Sequence, residues 1–165
     1  MPYQVPKEIK QDLVKQWKLS DKVFFSCGAC QILAQVYLDK FPNSGFRAEW
    51  IKPNEGFSGN HVYVTDGSLV FDWHGYSKKK NFLRHYFKRW RLHYSKVGEE
   101  SQNWNAKVVP IFTNLTDSEA NLSIGMNARG ADRYLLDPIP RAKAYLDRFA
   151  KQHQELHNNQ KVANL

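Results

Sequence analysis

Three side chains in the sequence together supply what thiol-dependent acyl transfer needs. Cys30 is a candidate nucleophile, His61 a candidate general base, and Asp72 a carboxylate able to orient that base. Cys30 follows two small residues and begins an apolar pattern of helical period. A thiol at a helix N-terminus feels the positive end of the helix dipole, which lowers its pKa. The sequence therefore offers an activated thiol, provided that the fold brings a histidine to it.

His61 and Asp72 lie on either side of a strong hairpin signal. The β-rich runs 61–65 and 68–73 flank Asp66-Gly67, a pair typical of tight turns between antiparallel strands. A two-residue loop at this pair sets His61 directly opposite Asp72 on one face of the sheet, with Cβ atoms about 4.5–5.5 Å apart. We expect a hydrogen bond between them, which would fix the imidazole tautomer and stabilise the imidazolium.

The flanking patterns predict an α+β domain that spans residues 1–165. Apolar spacing predicts a helix that begins at Cys30 and ends at the Pro42–Gly45 turn, and this helix is expected to pack against an antiparallel sheet. Residues 113–134 are polar and show no clear pattern. The other predicted elements are a helix over 6–19, a short strand or extended segment over 22–26, strands over 46–51 and 108–112, helices over 81–94 and 138–157, and a frayed tail over about 158–165.

The order and local setting of these residues resemble the transglutaminase-like branch of the papain-like cysteine superfamily. Gly28-Ala29-Cys30 resembles the Gly-x-Cys start of that family's nucleophile helix, and Ala34 the small residue one turn further on. The run Gly45-Phe46-Arg47-Ala48 resembles the family's strand entry, after which a His strand and an Asp strand follow. The resemblance implies a papain-like or transglutaminase-like core in which Cys30 is the nucleophile, His61 the base and Asp72 the orienting carboxylate.

The same resemblance implies an enzyme that forms a thioester from an amide. Its reactions would be transamidation or deamidation of protein glutamine, or hydrolysis of a peptide or other amide. The sequence departs from papain-type peptidases at Gln31, where those have an aromatic residue, and at Phe24, where those have the oxyanion-hole glutamine. The sequence therefore assigns no oxyanion donor.

Residues beside the expected triad are candidate substrate contacts. The formal net charge of +8 equals the charge of segment 73–98, which carries Lys and Arg but no acid. A basic edge of this kind can attract an acidic protein or another polyanion. The predicted substrate-binding residues are Asn60, Trp73, His74, Lys78, Lys79 and Lys80.

The expected partner is a protein or peptide that carries the amide, with an acidic one favoured by the charge. Segment 78–96 keeps nucleic acid open as another partner, because aromatic residues are interleaved there with cations. No apolar run reaches the length of a membrane span, and residues 1–22 lack the apolar centre of a signal peptide. These features predict a cytoplasmic location and leave non-classical export open.

Two other chemistries would use Cys27 together with Cys30. Their Cys-x-x-Cys spacing is that of thiol–disulfide oxidoreductases, which require a βαβ setting, whereas here a hairpin follows. The pair could also form half of a zinc site with His61 and His74, but the sequence has no second closely spaced pair near residue 50, and His153 and His157 lie four apart only at the C-terminal end. We expect no metal and no cofactor. The alternatives that remain are redox chemistry and a basic module that binds nucleic acid or another polyanion.

Overall fold

The computed structural model describes residues 3–97 and 103–163, and these form an α+β arrangement of helices around one antiparallel sheet. The strands are β1 (Arg47–Pro53), β2 (His61–Thr65), β3 (Leu69–Asp72), β4 (Gly75–Lys78) and β5 (Ala106–Ile111). The helices are α1 (Lys7–Gln11), α2 (Leu13–Trp17), α3 (Asp21–Ser26), α4 (Cys30–Lys40), α5 (Lys79–Ser95), α6 (Ser118–Ser123), α7 (Pro138–Asp147) and α8 (Ala150–Ala163).

The sheet separates two apolar layers. Its five strands follow the order β4-β3-β2-β1-β5, so β2 is the central strand. Val62, Val64 and Phe71 pack in the cluster that contains α4, whereas Tyr63 and Val70 face the side covered by α5. Alternate residues of β2 thus enter different cores, as the period of two in a strand requires.

Helix α4 is held against the sheet by a buried aromatic contact. Ile32, Leu33 and Val36 are almost completely buried, and the Tyr37 ring stacks on Phe71 of β3 with 4.9 Å between the ring centroids. Burial of each such apolar side chain contributes about 1.5–3 kcal/mol to the free energy of folding. This packing fixes the position of Cys30, the first residue of α4, relative to the sheet.

Helix α5 is tied to the other face by a buried carboxylate. Glu49 on β1 accepts hydrogen bonds from the Tyr63 hydroxyl at 2.6 Å and from Lys79 Nζ at 2.7 Å. Burial raises the pKa of the Glu49 carboxyl, but Lys79, Tyr63 and Arg47 outweigh it and the pKa lies below its ordinary value. The ion pair between Glu49 and Lys79 therefore holds the first turn of α5 against the sheet.

The predicted helix over 6–19 is two short helices, and the predicted strand or extended segment over 22–26 is wrong. Asp12 adopts an extended conformation and its Oδ1 accepts hydrogen bonds from the Val14 and Lys15 amides, so one helix ends and a second begins there. Residues 21–26 form helix α3, in which Phe24 and Phe25 are both buried. A short apolar run has no periodicity that separates a buried strand from a buried helix.

The predicted register of the β2–β3 hairpin is also wrong. Thr65 pairs with Val70, so the loop has four residues rather than two. Asp66 Oδ1 accepts hydrogen bonds from the Ser68 and Leu69 amides and closes this longer loop. Because the pairing shifts by two residues, every side chain keeps its predicted face of the sheet.

The remaining differences are an additional strand, a predicted helix that is divided in two, and shifted ends of other elements. Strand β4 was not predicted, β5 and α5 each begin two residues earlier than expected, and the predicted helix over 138–157 is two helices, α7 and α8. The frayed tail over about 158–165 stays a prediction: helix α8 extends to Ala163, and residues 164–165 lie outside the described residues. Among the helices of the described segments, none has the length and apolar content that crossing a lipid bilayer requires.

Replacement of Gly75 by Ala should destabilise the fold. Gly75 has a φ of 90°, and a Cβ there would lie 2.7 Å from two ring carbons of Phe149. The left-handed conformation costs a non-glycine residue about 1–2 kcal/mol, and the clash adds a cost of about 1–3 kcal/mol. We expect the free energy of unfolding, measured in urea, to fall by the sum of these two costs.

Gly56→Ala is the matched control, because Gly56 has a φ of 83° and nothing lies within 4 Å of its Cβ position. The free energy of unfolding of Gly56→Ala should fall only by the cost of the left-handed backbone conformation. Equal losses in the two variants would mean that the contact with Phe149 is unimportant.

Candidate active site

Cys30 occupies a partly buried position where helix α4 meets the central strand. It is the first residue of α4, and Ala29, which is completely buried, precedes it as the N-cap. The backbone N–H of Val62 on β2 donates a hydrogen bond to Cys30 Sγ at 3.4 Å. The sulfur is thus held by the peptide group that directly follows His61.

His61 and Asp72 form a buried hydrogen-bonded pair. His61 Nε2 lies 3.1 Å from Asp72 Oδ2, and each side chain is only 2% exposed. Asp72 Oδ1 accepts a second hydrogen bond, from the His74 amide at 2.9 Å. The His61 ring stacks on Tyr86 of α5 at 5.5 Å. Since Nε2 faces the carboxylate, Nδ1 is the nitrogen available to the Cys30 thiol.

The electrostatics of this trio favour a thiolate–imidazolium pair. Burial raises the pKa of the Cys30 thiol, but a hydrogen bond from His61, the charge of His61 and the Val62 amide outweigh it, so the pKa lies below its ordinary value. Burial lowers the pKa of His61, but Asp72 and Cys30 outweigh it, so that pKa is raised. Burial likewise opposes ionisation of Asp72, yet its hydrogen bonds to His61 and His74 keep its pKa low.

Cys27 lies in a different environment, although it is three residues from Cys30. Its Sγ donates a hydrogen bond to the Tyr3 carbonyl oxygen at 2.9 Å. Burial raises the pKa of the Cys27 thiol, and the nearby Ser26 and Lys10 only partly offset this. Both cysteines are free thiols, and the protein activates one of them and not the other.

The trio opens into a cavity of about 1170 Å³. Four of the predicted substrate contacts line it: Asn60, Trp73, His74 and Lys78. Asn60 is held in place by a 2.9 Å hydrogen bond from Trp50 Nε1 to its Oδ1. The other two predicted contacts, Lys79 and Lys80, are not part of the lining, and Lys79 is instead paired with Glu49.

Two glutamines near Cys30 were not assigned a role from the sequence. Gln16 is only 4% exposed, and its Nε2 lies 2.9 Å from the position that a Cβ on Gly28 would take. Arg129 Nη1 donates to Gln16 Oε1 at 2.5 Å, which leaves Nε2 directed at the segment that leads to Cys30. Gln31 Oε1 lies 3.7 Å from Cys30 Sγ.

No sequence pattern distinguishes these two glutamines from solvent-facing ones. The long-range contact between Gln16 and Arg129 places Gln16, and it exists only in the folded chain. Residues 125–129 line the cavity as well. The small and polar composition of the segment from Met126 to Arg133 is the sequence signal that indicates a functional loop here.

The N-terminal segment lies across the cavity. Tyr3, Gln4 and Val5 all contribute to its lining. The Tyr3 ring packs on Trp73 with 5.2 Å between centroids, and Gln4 Nε2 lies 3.0 Å from His93 Nδ1 on α5. A short stretch of polypeptide therefore already spans the cavity from the Cys27 side to α5.

Comparison of the chain with models of protein families, with curated proteins and with solved structures finds no match. The geometry of the site therefore carries the functional argument. Within residues 3–97 and 103–163, no group of three or more His, Cys, Asp or Glu side chains is arranged to hold a metal ion.

Alkylation by iodoacetamide should distinguish the two thiols. In a Cys27→Ser background, Cys30 should react at pH values well below those at which an ordinary thiol ionises, because its pKa is lowered. In a Cys30→Ser background, Cys27 should react only at higher pH, because burial raises its pKa. Rates measured by mass spectrometry from pH 5 to 10 give both profiles.

The His61→Ala variant should move the Cys30 profile to higher pH, since the hydrogen bond and charge that lower the pKa are lost while burial remains. At a pH below both pKa values, a thiol whose pKa is higher by about one reacts about tenfold more slowly, because less of it is thiolate. Identical profiles for Cys27 and Cys30 would contradict the assignment of Cys30 as the activated thiol.

Proposed function

We propose that this protein is a cysteine-dependent enzyme that transfers or hydrolyses acyl groups at amides, with a papain-like core of the transglutaminase-like type. The observation that carries the proposal is the Cys30–His61–Asp72 arrangement, in which a partly buried thiol meets a buried imidazole–carboxylate pair and both the thiol and the imidazole favour their charged forms. An ion pair of this kind is the reactive state of thiol-dependent acyl transfer. Its opening into a cavity gives a substrate access to the sulfur.

The reaction proceeds in two halves. The Cys30 thiolate attacks the amide carbonyl carbon, the carbon–nitrogen bond breaks, and the His61 imidazolium gives its proton to the departing nitrogen, which leaves as ammonia or an amine. The thioester on Cys30 is then attacked by water or by an amine. His61 takes the proton of that acceptor, and the thiolate is regenerated. Asp72 holds the imidazole in the required tautomer through both halves.

Gln16 and the start of α4 supply donors for the oxyanion. The negative charge of the tetrahedral intermediate forms beside Sγ, close to the backbone N–H of Cys30 at the helix N-terminus. Gln16 Nε2 approaches the same segment from the other side and is oriented by Arg129. A side chain at position 28 would collide with this amide, which accounts for glycine there.

The fold supports a papain-like core over a thioredoxin-like one. A helix that begins at the nucleophile packs against an antiparallel sheet whose adjacent strands β2 and β3 carry the base and the carboxylate. Thioredoxin-like redox proteins require a βαβ unit, whereas every strand pairing here is antiparallel. The opposite directions in which the pKa values of the two thiols move also suit one nucleophile better than a dithiol couple.

Removal of the nucleophile should abolish activity. We expect Cys30→Ala to lose all ammonia release and all amine incorporation with glutamine-containing peptides, whereas Cys27→Ala should retain most of both. Asp72→Asn should lower kcat by about 10⁴, because the imidazole is left in the wrong tautomer. Equal losses from the two cysteine variants would favour redox or metal chemistry instead.

Gln16→Ala should lower kcat by about 10²–10³ with a smaller change in KM, as loss of an oxyanion donor does. The alkylation rate of Cys30 should stay the same, because that reaction forms no oxyanion. Gln154→Ala, which removes an exposed glutamine on α8, is the control. A parallel fall in acyl transfer and in alkylation would show that Gln16 only supports the fold.

A further inference from the structure

One wall of the cavity carries a row of basic side chains. His85, Arg89 and His93 follow one another at intervals of four residues along α5, and all three line the cavity. Four residues of an α-helix rise about 6 Å, and residues four apart share a face. The three groups, here called the α5 row, therefore present charge or proton donors at regular steps along this wall.

The rest of the cavity lining does not neutralise this row. Besides Arg89, the permanent cations of the lining are Lys10, Lys78 and Arg129, and among the described residues its only carboxylate is Asp72. Asp72 is buried and bonded to His61. Among the described residues, no member of the α5 row makes a salt bridge. An anionic ligand in the cavity would thus meet uncompensated positive charge.

The N-terminal segment shows that a polypeptide fits at the end of the row. Gln4 reaches the far end of the row, with its carboxamide nitrogen 3.0 and 3.1 Å from the two ring nitrogens of His93. A glutamate side chain has the same length and shape. Its carboxylate would accept a hydrogen bond from a ring N–H of His93, and a hydrogen bond to an ionised acceptor is about twice as strong as a neutral one.

The spacing of the row also suits a peptide. In an extended chain, side chains on one side recur every two residues, or about 6.6–6.8 Å. This repeat is close to the rise of about 6 Å between members of the α5 row. Carboxylates at alternate positions of a bound segment could therefore each meet one member of the row.

We propose that the cavity binds an acidic, extended segment of a protein substrate along the α5 row, with Asp or Glu at alternate positions and the reacting amide at Cys30. This inference rests on the proposed function, because it assigns the substrate class of the same site. A polypeptide is favoured over nucleic acid because it carries the amide carbonyl that Cys30 needs and because a polypeptide segment already lies there.

The remaining cations of α5 belong to other surroundings. Lys79 is paired with Glu49. Arg84, Lys88 and Arg91 surround Leu83 and Phe87 on a separate surface. Arg84 is thus a matched control for Arg89, since both are exposed arginines of one helix and only Arg89 lines the cavity.

The test uses the full-length Cys30→Ala protein, in which binding is measured without turnover. Two fluorescein-labelled peptides are compared by fluorescence anisotropy: Gly-Gln-Gly-Glu-Gly-Glu-Gly, and the same peptide with Gln in place of Glu. We expect the acidic peptide to bind at least about tenfold more tightly and to lose affinity as salt increases. Arg89→Gln should weaken its binding several-fold, whereas Arg84→Gln should leave it nearly unchanged.

Each other result overturns the proposal in a specific way. Equal affinities for the two peptides would reject an acidic substrate. Equal losses of affinity in Arg84→Gln and Arg89→Gln would mean that only the net charge of the helix matters for binding. Tighter, Arg89-dependent binding of an oligothymidylate would assign the row to nucleic acid.

Failure of the proposed function gives a different pattern. If acidic peptides bind through Arg89 but the wild-type protein, Cys30 included, forms no thioester and releases no ammonia from them, the enzyme assignment fails and the binding site stands. If neutral glutamine peptides turn over independently of Arg89, the enzyme assignment stands and the acidic substrate class is rejected.

Discussion

The buried hydrogen bond between His61 and Asp72 is the constraint on which the site depends. Both side chains are almost completely removed from water, and an unpaired ion in such a place costs several kcal/mol. Burial disfavours the charged form of His61, but Asp72 on one side of the ring and Cys30 on the other outweigh it, so the pKa of His61 is raised. Strands β2 and β3 and helix α4 must therefore meet with little freedom, and the stacked Tyr37 and Phe71 rings hold α4 in that position.

The sequence predicts the hydrogen bond between His61 and Asp72 but not the register of the two strands that carry them. The alternation of side chains across a strand places both on one face for any register shifted by two residues. The loop that selects the actual register depends on hydrogen bonds from backbone amides to Asp66 Oδ1, which the Asp-Gly signal alone does not specify. The face of the sheet on which a side chain lies depends only on whether its position is odd or even, so a shift of two residues leaves it unchanged. The register of β2 with β3 depends on the hydrogen bonds of the loop.

Features that depend on long-range contacts were not predicted from the sequence. The apolar centre of 22–26 has no periodicity that distinguishes helix from strand, and α3 forms there with Phe24 and Phe25 buried. Gln16 acquires its place through Arg129, more than a hundred residues away in the chain. The basic segment shows the same limit, because its composition reveals the charge whereas the fold divides it between Glu49, the cavity and a separate surface.

The hydrogen bond from the Val62 amide to Cys30 Sγ makes the backbone of the central strand sensitive to the state of the sulfur. A thiolate is a strong acceptor for that N–H, whereas a thioester or thioether sulfur is neutral and accepts weakly. Occupation of Cys30 therefore loosens one amide in the middle of the sheet, next to the base. Hydrogen exchange at that single amide becomes a spectroscopic label for the covalent state of the nucleophile, readable without knowing the substrate.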